Sequence, residues 1–216
     1  MMPKIHPSIL CADHGNLLAE VTKLEKLGVA YFHIDVMDGN FVPNFGCGTE
    51  IVKMIRRNSN VPLDVHLMVQ NPQNHIKQFC ELGADIITIH HEAEFLNTNI
   101  MQTLAAIRKK GVVPGIAINP ATTVDEVRHL LPLCGHVLAM TVVPGFGGQT
   151  FMENTVEKLR ELGELAQEHG FSLCVDGGVD AKRVGELMPI GVTNFVMGNA
   201  LFKNDYAEVF GQCARF

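Results

Sequence analysis

No run of apolar residues approaches the roughly 20 needed to span a bilayer, which argues against a membrane role for this chain of 216 residues. Basic clusters are missing as well. With a formal charge of −6 and no Lys/Arg run, nucleic acid is excluded as the main partner. A phosphorylated small molecule is not excluded, because backbone N–H groups and helix N-termini hold phosphate without lysine. The cysteines (Cys11, Cys47, Cys80, Cys134, Cys174 and Cys213) form no C-x-x-C pair, so they read as free thiols rather than a disulfide frame or a thiolate metal site. The first residues, Met1 to Pro7, lack the apolar core of a signal peptide, and a cytoplasmic protein is expected. No low-complexity stretch or change of composition marks a linker, so one domain over 1–216 is expected.

What is present is an alternation. Apolar, often β-branched runs at 5–10, 31–36, 63–68, 86–90, 112–118, 136–142, 172–175 and 194–197 read as strands. Between them, stretches with apolar residues three and four apart at 17–27, 49–57, 72–82, 98–110, 123–131, 152–168, 181–188 and 206–214 read as helices. Pro72 suits a first helical turn, Asp180 an N-cap, and Gly28, Gly83, Gly111 and Gly170 suit helix ends. Eight such units close into a (β/α)8 barrel or open into a doubly wound sheet. An open nucleotide fold concentrates glycines after its first strand, where this chain has Cys11-Ala12-Asp13-His14-Gly15-Asn16. Polar residues instead interrupt the apolar runs at several strand ends: Ser8, His33, Asp35, His66, Asn119 and Asp176. That distribution favours the TIM barrel, whose chemistry collects at the C-terminal ends of its strands.

In His33-Ile34-Asp35 the two polar side chains share one face of a strand. An unpaired carboxylate on an inward face is expensive to bury. With His66 ending the next strand and Asp176 ending the seventh, two imidazoles and two carboxylates converge on one cavity. That donor set suits one divalent metal ion, with zinc ahead of iron(II), manganese or cobalt. Glycine turns follow strands six, seven and eight: Pro144-Gly145-Phe146-Gly147-Gly148-Gln149, Asp176-Gly177-Gly178, and Gly198-Asn199 opening a short helix. Loops after strands seven and eight are frequent phosphate sites in barrels. Met37, Met68 and Met140, at strand ends, are candidates for a soft, water-poor lid.

Taken together, these residues resemble the ribulose-phosphate 3-epimerase family. The resemblance is carried by Pro7-Ser8-Ile9-Leu10, His33-Ile34-Asp35-Val36-Met37-Asp38-Gly39, Phe41-Val42-Pro43-Asn44, His66-Leu67-Met68, Gly83-Ala84-Asp85, Asn119-Pro120, Met140-Thr141-Val142, the Pro144–Gln149 loop, Val175-Asp176-Gly177-Gly178 and Ala200-Leu201-Phe202. It implies a (β/α)8 barrel and a divalent metal on His33, Asp35, His66 and Asp176. It implies interconversion of D-ribulose 5-phosphate and D-xylulose 5-phosphate, and a homo-oligomer is expected with it. It also implies that Ser8 and His66 contact the substrate, and that Gly145, Phe146, Gly147, Gly148, Gly177, Gly178, Gly198 and Asn199 surround its phosphate end. Asn40, Val143 and Asn199 depart from the family pattern.

Epimerisation beside a ketose carbonyl breaks a C–H bond made acidic by the enediolate that forms. A metal acting as a Lewis acid stabilises that charge. Inversion needs an acid on the opposite face, and the expected pair is Asp35 and Asp176, with exchangeable roles. An epimerase of a six-carbon ketose phosphate, such as allulose 6-phosphate, is the competing reading, with Asn40 and Val143 beside the substrate loops. Schiff-base aldolases and lysine–aspartate decarboxylases need lysine in the barrel mouth, and only Lys4, at the beginning of strand one, is near a strand. A catalytically silent phosphate-binding barrel is disfavoured by the presence of all four ligand candidates.

Overall fold

The computed structural model describes residues 2–96 and 98–216, without the side chains of 94–96. Eight parallel strands, β1 (Lys4–Pro7), β2 (Phe32–Met37), β3 (Leu63–Met68), β4 (Ile86–His90), β5 (Val113–Ile118), β6 (His136–Met140), β7 (Ser172–Asp176) and β8 (Asn194–Met197), follow one another in the order β1-β8-β7-β6-β5-β4-β3-β2. A parallel bridge between Ser8 and His33 joins the two ends of that order. Helices α1 (Leu17–Lys26), α2 (Thr49–Asn58), α3 (Ile76–Glu81), α4 (Ile100–Lys109), α5 (Val124–Val127), α6 (Val156–His169), α7 (Ala181–Leu187), α8 (Asn199–Phe202) and α9 (Tyr206–Cys213) lie between and after the strands. This is the (β/α)8 barrel.

The period-two alternation of the strands divides the core. On β6, Val137 and Ala139 join the large cluster packed under the helices, while Leu138 and Met140 join a smaller one with Ala117, Cys174 and Val196. Lower in the same interior the residues are polar. His6 Nδ1 and His33 Nδ1 each lie 2.9 Å from Asp64 Oδ2, and His6 Nε2 lies 3.0 Å from Asn194 Oδ1. A barrel interior built from aliphatic layers alone would carry no such network; here it supports the groups above it.

Several boundaries differ from the sequence expectation. Strand one stops at Pro7, and the chain turns through a 3-10 helix at Ile9–Cys11, with Ser8 N–H still donating to Met197 O (2.9 Å). The helix expected over 123–131 is only Val124–Val127, opened by a Thr123/Glu126 capping box, and Pro132 follows in the 3-10 turn Leu131–Leu133. Proline disfavours helical backbone at the residue before it. Likewise 72–82 divides into the 3-10 turn Pro72–Asn74 and α3. The expected punctuation is in place: Asp180 caps α7 by accepting from Arg183 N–H, and Gly170 ends α6 at φ +76°. Among the described residues, no helix is long and apolar enough to cross a membrane.

Candidate active site

Asp35 stands at the centre of the cluster. β2 turns His33, Asp35 and Met37 to the barrel interior, and its register sets Asp35 beside His66 of β3. Asp35 Oδ2 accepts from Ser8 Oγ at 2.6 Å, a donor delivered by the early end of β1. Asp35 Oδ1 faces His66 Nδ1 at 3.1 Å and His33 Nε2 at 3.2 Å. Asp176, from the end of β7, brings Oδ2 to 3.9 Å from His33 Nε2. One ligand atom from each of His33, Asp35, His66 and Asp176 lies within 4.8 Å of all the others. Strands whose sequence positions are far apart thus deliver the four residues singled out above to one point.

Donor and acceptor chemistry tests whether an ion fits there. A carboxylate is acceptor-only, so Asp64 takes the Nδ1 proton of His33 and leaves Nε2 as the site-facing nitrogen. That Nε2 is fully buried and makes no hydrogen bond, since its approach to Asp35 is out of line for one. An orphaned imidazole nitrogen, flanked by carboxylate oxygens, is the geometry a divalent cation completes, with Asp64 orienting the ligand from behind. Where no ion is bound, protons answer the same charges. Burial opposes charge on His33, but Asp35 and Asp64 outweigh it and raise its pKa well above the usual range. Burial likewise opposes ionisation of Asp35, and His33 with His66 overcomes it, holding this carboxyl far below normal. Asp176 goes the other way, raised to about 7 by burial and then by the charge of Asp35. Burial lowers the pKa of His66 despite Asp35, keeping that ring neutral.

Above the cluster is a cavity of about 250 Å³ whose walls include Ser8, Asp35 and Asp176. This is slightly under the roughly 300–1,000 Å³ common for ligand pockets, as suits a small metabolite. Met37, Met68 and Met140 are apolar members of the lining, each almost wholly buried. Gly145, Phe146, Gly147 and Gly148 from the β6 loop, Gly177 and Gly178 after β7, and Gly198 and Asn199 after β8 also line it. Gly178 has φ +65°, and a side chain there would run into the backbone of Phe151. The β6 loop is tied down by Asn44 Nδ2 to Gly145 O (2.7 Å) and by Gln149 Nε2 to Val143 O (2.6 Å) and Phe146 O (2.9 Å). His33 and His66 are not on the walls; they lie beneath, with no solvent exposure. Asn40 and Val143 also stand outside the lining, Asn40 Nδ2 donating to Asp38 O at 3.1 Å and Val143 mostly exposed.

Three residues with direct bearing on the cluster escaped the sequence reading: Asp64, His90 and Glu92. His66 Nε2 meets His90 Nε2 at 2.8 Å, and His90 Nδ1 meets Glu92 Oε2 at 3.0 Å. The available signal was His90 ending an apolar run as His66 does, with Glu92 two residues on. Asn119, one of the polar residues at strand ends, serves as a support: its backbone N–H donates to Glu92 Oε1 at 2.8 Å.

Comparison with known proteins agrees with this geometry. The model of the ribulose-phosphate 3 epimerase family matches residues 4–202. The ribulose-phosphate 3-epimerase of Bacillus subtilis is 40% identical over 204 residues, covering 93% of either chain. That of Synechocystis sp. is 38% identical over 207 residues, covering 94% of this chain and 90% of its own. Among solved structures, a mutant tryptophan synthase alpha-subunit of Pyrococcus furiosus superposes with TM-score 0.71 at 16% identity, over 99% of this chain and 98% of its own. At that identity the likeness concerns the fold alone. Extended identity to named epimerases, a family match over nearly the whole length and the His/Asp cluster at the barrel mouth together place the chain in the ribulose-phosphate 3 epimerase family, as an isomerase.

Proposed function

We propose that the protein interconverts D-ribulose 5-phosphate and D-xylulose 5-phosphate by moving the C3 proton between Asp35 and Asp176. The observation that carries this is the presence of both carboxylates on the walls of one small cavity that is also lined by glycine turns. Asp35 comes from β2 and Asp176 from β7, three steps apart around the ring, so they are suited to flank a ligand lying across the mouth. One removes the C3 proton as its electrons move into the C2–C3 bond and the carbonyl oxygen gains charge. The other returns a proton to the opposite face, and the reverse reaction exchanges the roles. Each transfer is worth about 10²–10⁴ in rate.

His33, Asp35, His66 and Asp176 are the residues that would hold a divalent ion, zinc first among iron(II), manganese and cobalt. Such an ion supplies a Lewis acid for the developing oxyanion. Ser8 keeps Asp35 Oδ2 occupied by a hydrogen bond, which orients the carboxylate and holds its other oxygen toward the cluster. Met37, Met68 and Met140 exclude water beside the reacting carbon. The phosphate rests against Gly145–Gly148, Gly177, Gly178, Gly198 and Asn199, where backbone N–H groups serve as donors. The position of Asn40 and Val143 off the walls supports the five-carbon substrate over a six-carbon one.

The test is turnover of D-ribulose 5-phosphate in D2O after chelation and addition of each metal, with deuterium at C3 followed by NMR. Metal-restored exchange and conversion are expected. Asp35→Asn or Asp176→Asn should lower turnover by about 10²–10⁴. Either variant keeping more than roughly a tenth of wild-type activity would reject that residue's role.

A further inference from the structure

A line of hydrogen bonds leaves the cluster on the side opposite Asp64 and runs through side chains to which no role is yet assigned. His66 Nε2 to His90 Nε2 is 2.8 Å, His90 Nδ1 to Glu92 Oε2 is 3.0 Å, and Glu92 Oε1 receives Asn119 N–H at 2.8 Å and the Thr122 hydroxyl. We propose that His90 and Glu92 are a positioning pair that fixes the tautomer and orientation of His66, and so set the affinity of the cluster for a divalent ion. This rests on the metal reading given above.

Proton counting along the line leads to one arrangement. The Glu92 carboxylate accepts only, so His90 Nδ1 must carry the hydrogen between them. A neutral His90 then presents a lone pair at Nε2, and the 2.8 Å contact requires His66 Nε2 to donate. His66 Nδ1 is left with its lone pair aimed at Asp35 Oδ1, 3.1 Å away. Two acceptors facing each other at that distance repel unless a cation or a proton lies between them. The reverse assignment, with hydrogen on His90 Nε2, would set Nδ1 lone pair against the Glu92 carboxylate. Asp64 performs the same selection for His33 with the nitrogens exchanged: it binds Nδ1 and frees Nε2. The two ligand rings thus have separate orienting carboxylates, one direct and one acting through a second imidazole.

The pair is also held rigidly. The His90 and His66 rings meet edge to edge, with centroids 4.9 Å apart and 26° between planes, and Phe41 packs against His90 at 4.9 Å. Behind Glu92, Lys158 Nζ donates to Asn119 O (2.6 Å), Pro120 O (2.9 Å) and Thr122 O (2.9 Å), pinning the turn that holds the carboxylate.

The test is a cobalt(II) titration of chelator-stripped full-length protein against a competing chelator, for wild type, His90→Leu, His90→Gln and Glu92→Ala. Wild type should bind one equivalent. His90→Leu and Glu92→Ala should weaken the cobalt Kd by about 10–100-fold, the usual effect of removing an orienting partner. His90→Gln, whose amide oxygen can accept from His66 Nε2, should recover most of the loss. In zinc-loaded protein, histidine 15N shifts should show His66 ligated through Nδ1 and protonated at Nε2. Unchanged affinity in His90→Leu and Glu92→Ala, equal losses in His90→Leu and His90→Gln, or ligation through Nε2 would each overturn the proposal. If His90→Leu does not fold, Glu92→Ala and the wild-type 15N shifts decide. A wild type that binds no divalent ion removes the metal reading itself, whereas tight wild-type binding with unchanged variants removes only the positioning pair.

Discussion

At Asp35 one carboxyl group serves three neighbours, with Ser8 on one oxygen and both imidazoles against the other. The polar members of this cluster were legible in the sequence because each breaks an apolar run at a strand end. Asp64, His90 and Glu92 were not, since their importance lies in what faces them across neighbouring strands, and spacing along one strand carries none of that. Glu92 gives a measurable acid dependence. Burial opposes its ionisation, but His90, Thr122 and Asn119 outweigh it and bring the pKa from 4.5 to about 2. A depressed carboxyl contributes stability that is complete above its unfolded pKa and is lost as pH falls from 4.5 toward 2. The contribution is on the order of 3 kcal/mol. Urea unfolding of metal-free wild type and Glu92→Gln should therefore differ by a constant amount above pH 5 and converge on acidification. A gap that widens as pH falls would contradict the assignment.

Helices and strands were more readable in kind than in length. The alternation was plain, whereas the element ends near Pro7 and Pro132 were not, since proline restricts the backbone beside it. Asn119 shows a second limit: it marks a strand end in the sequence, but that its backbone works between Glu92 and Lys158 is visible only in the fold. The short α5 depends on that junction, because its entry turn is gathered around the Lys158 ammonium. Burial lowers the pKa of Lys158, but hydrogen bonds from a charged donor to three carbonyls offset the desolvation. Lys158→Met should cost about 2–4 kcal/mol and lower Tm by roughly 5–10 °C. Scanning calorimetry checks it; a change within about 1 °C would mean the turn holds itself.

Over the whole molecule, the net charge of −6 has to be reconciled with a dianionic sugar phosphate. The cavity includes Asp35, Asp176 and Asp180 among its lining residues, but no lysine or arginine. Anion binding by glycine backbone is short-ranged, so it holds a phosphate without drawing it in from a distance. Like charges approach faster when salt screens them. Accordingly kcat/KM should stay level or rise as ionic strength goes from near zero to about 0.15 M. A several-fold fall would reveal a steering cation elsewhere on the surface. The full burial of His33 and His66 beneath the candidate substrate cavity has a kinetic counterpart. On the proposed function, an ion at the cluster would reach solvent through the space the substrate fills, which would make the loading order ion first and sugar second. The phosphosugar would then act as a stopper: the rate at which chelator strips the metal should fall in proportion to the unoccupied fraction of sites, and a stripping rate indifferent to substrate would point to a second exit through the barrel wall.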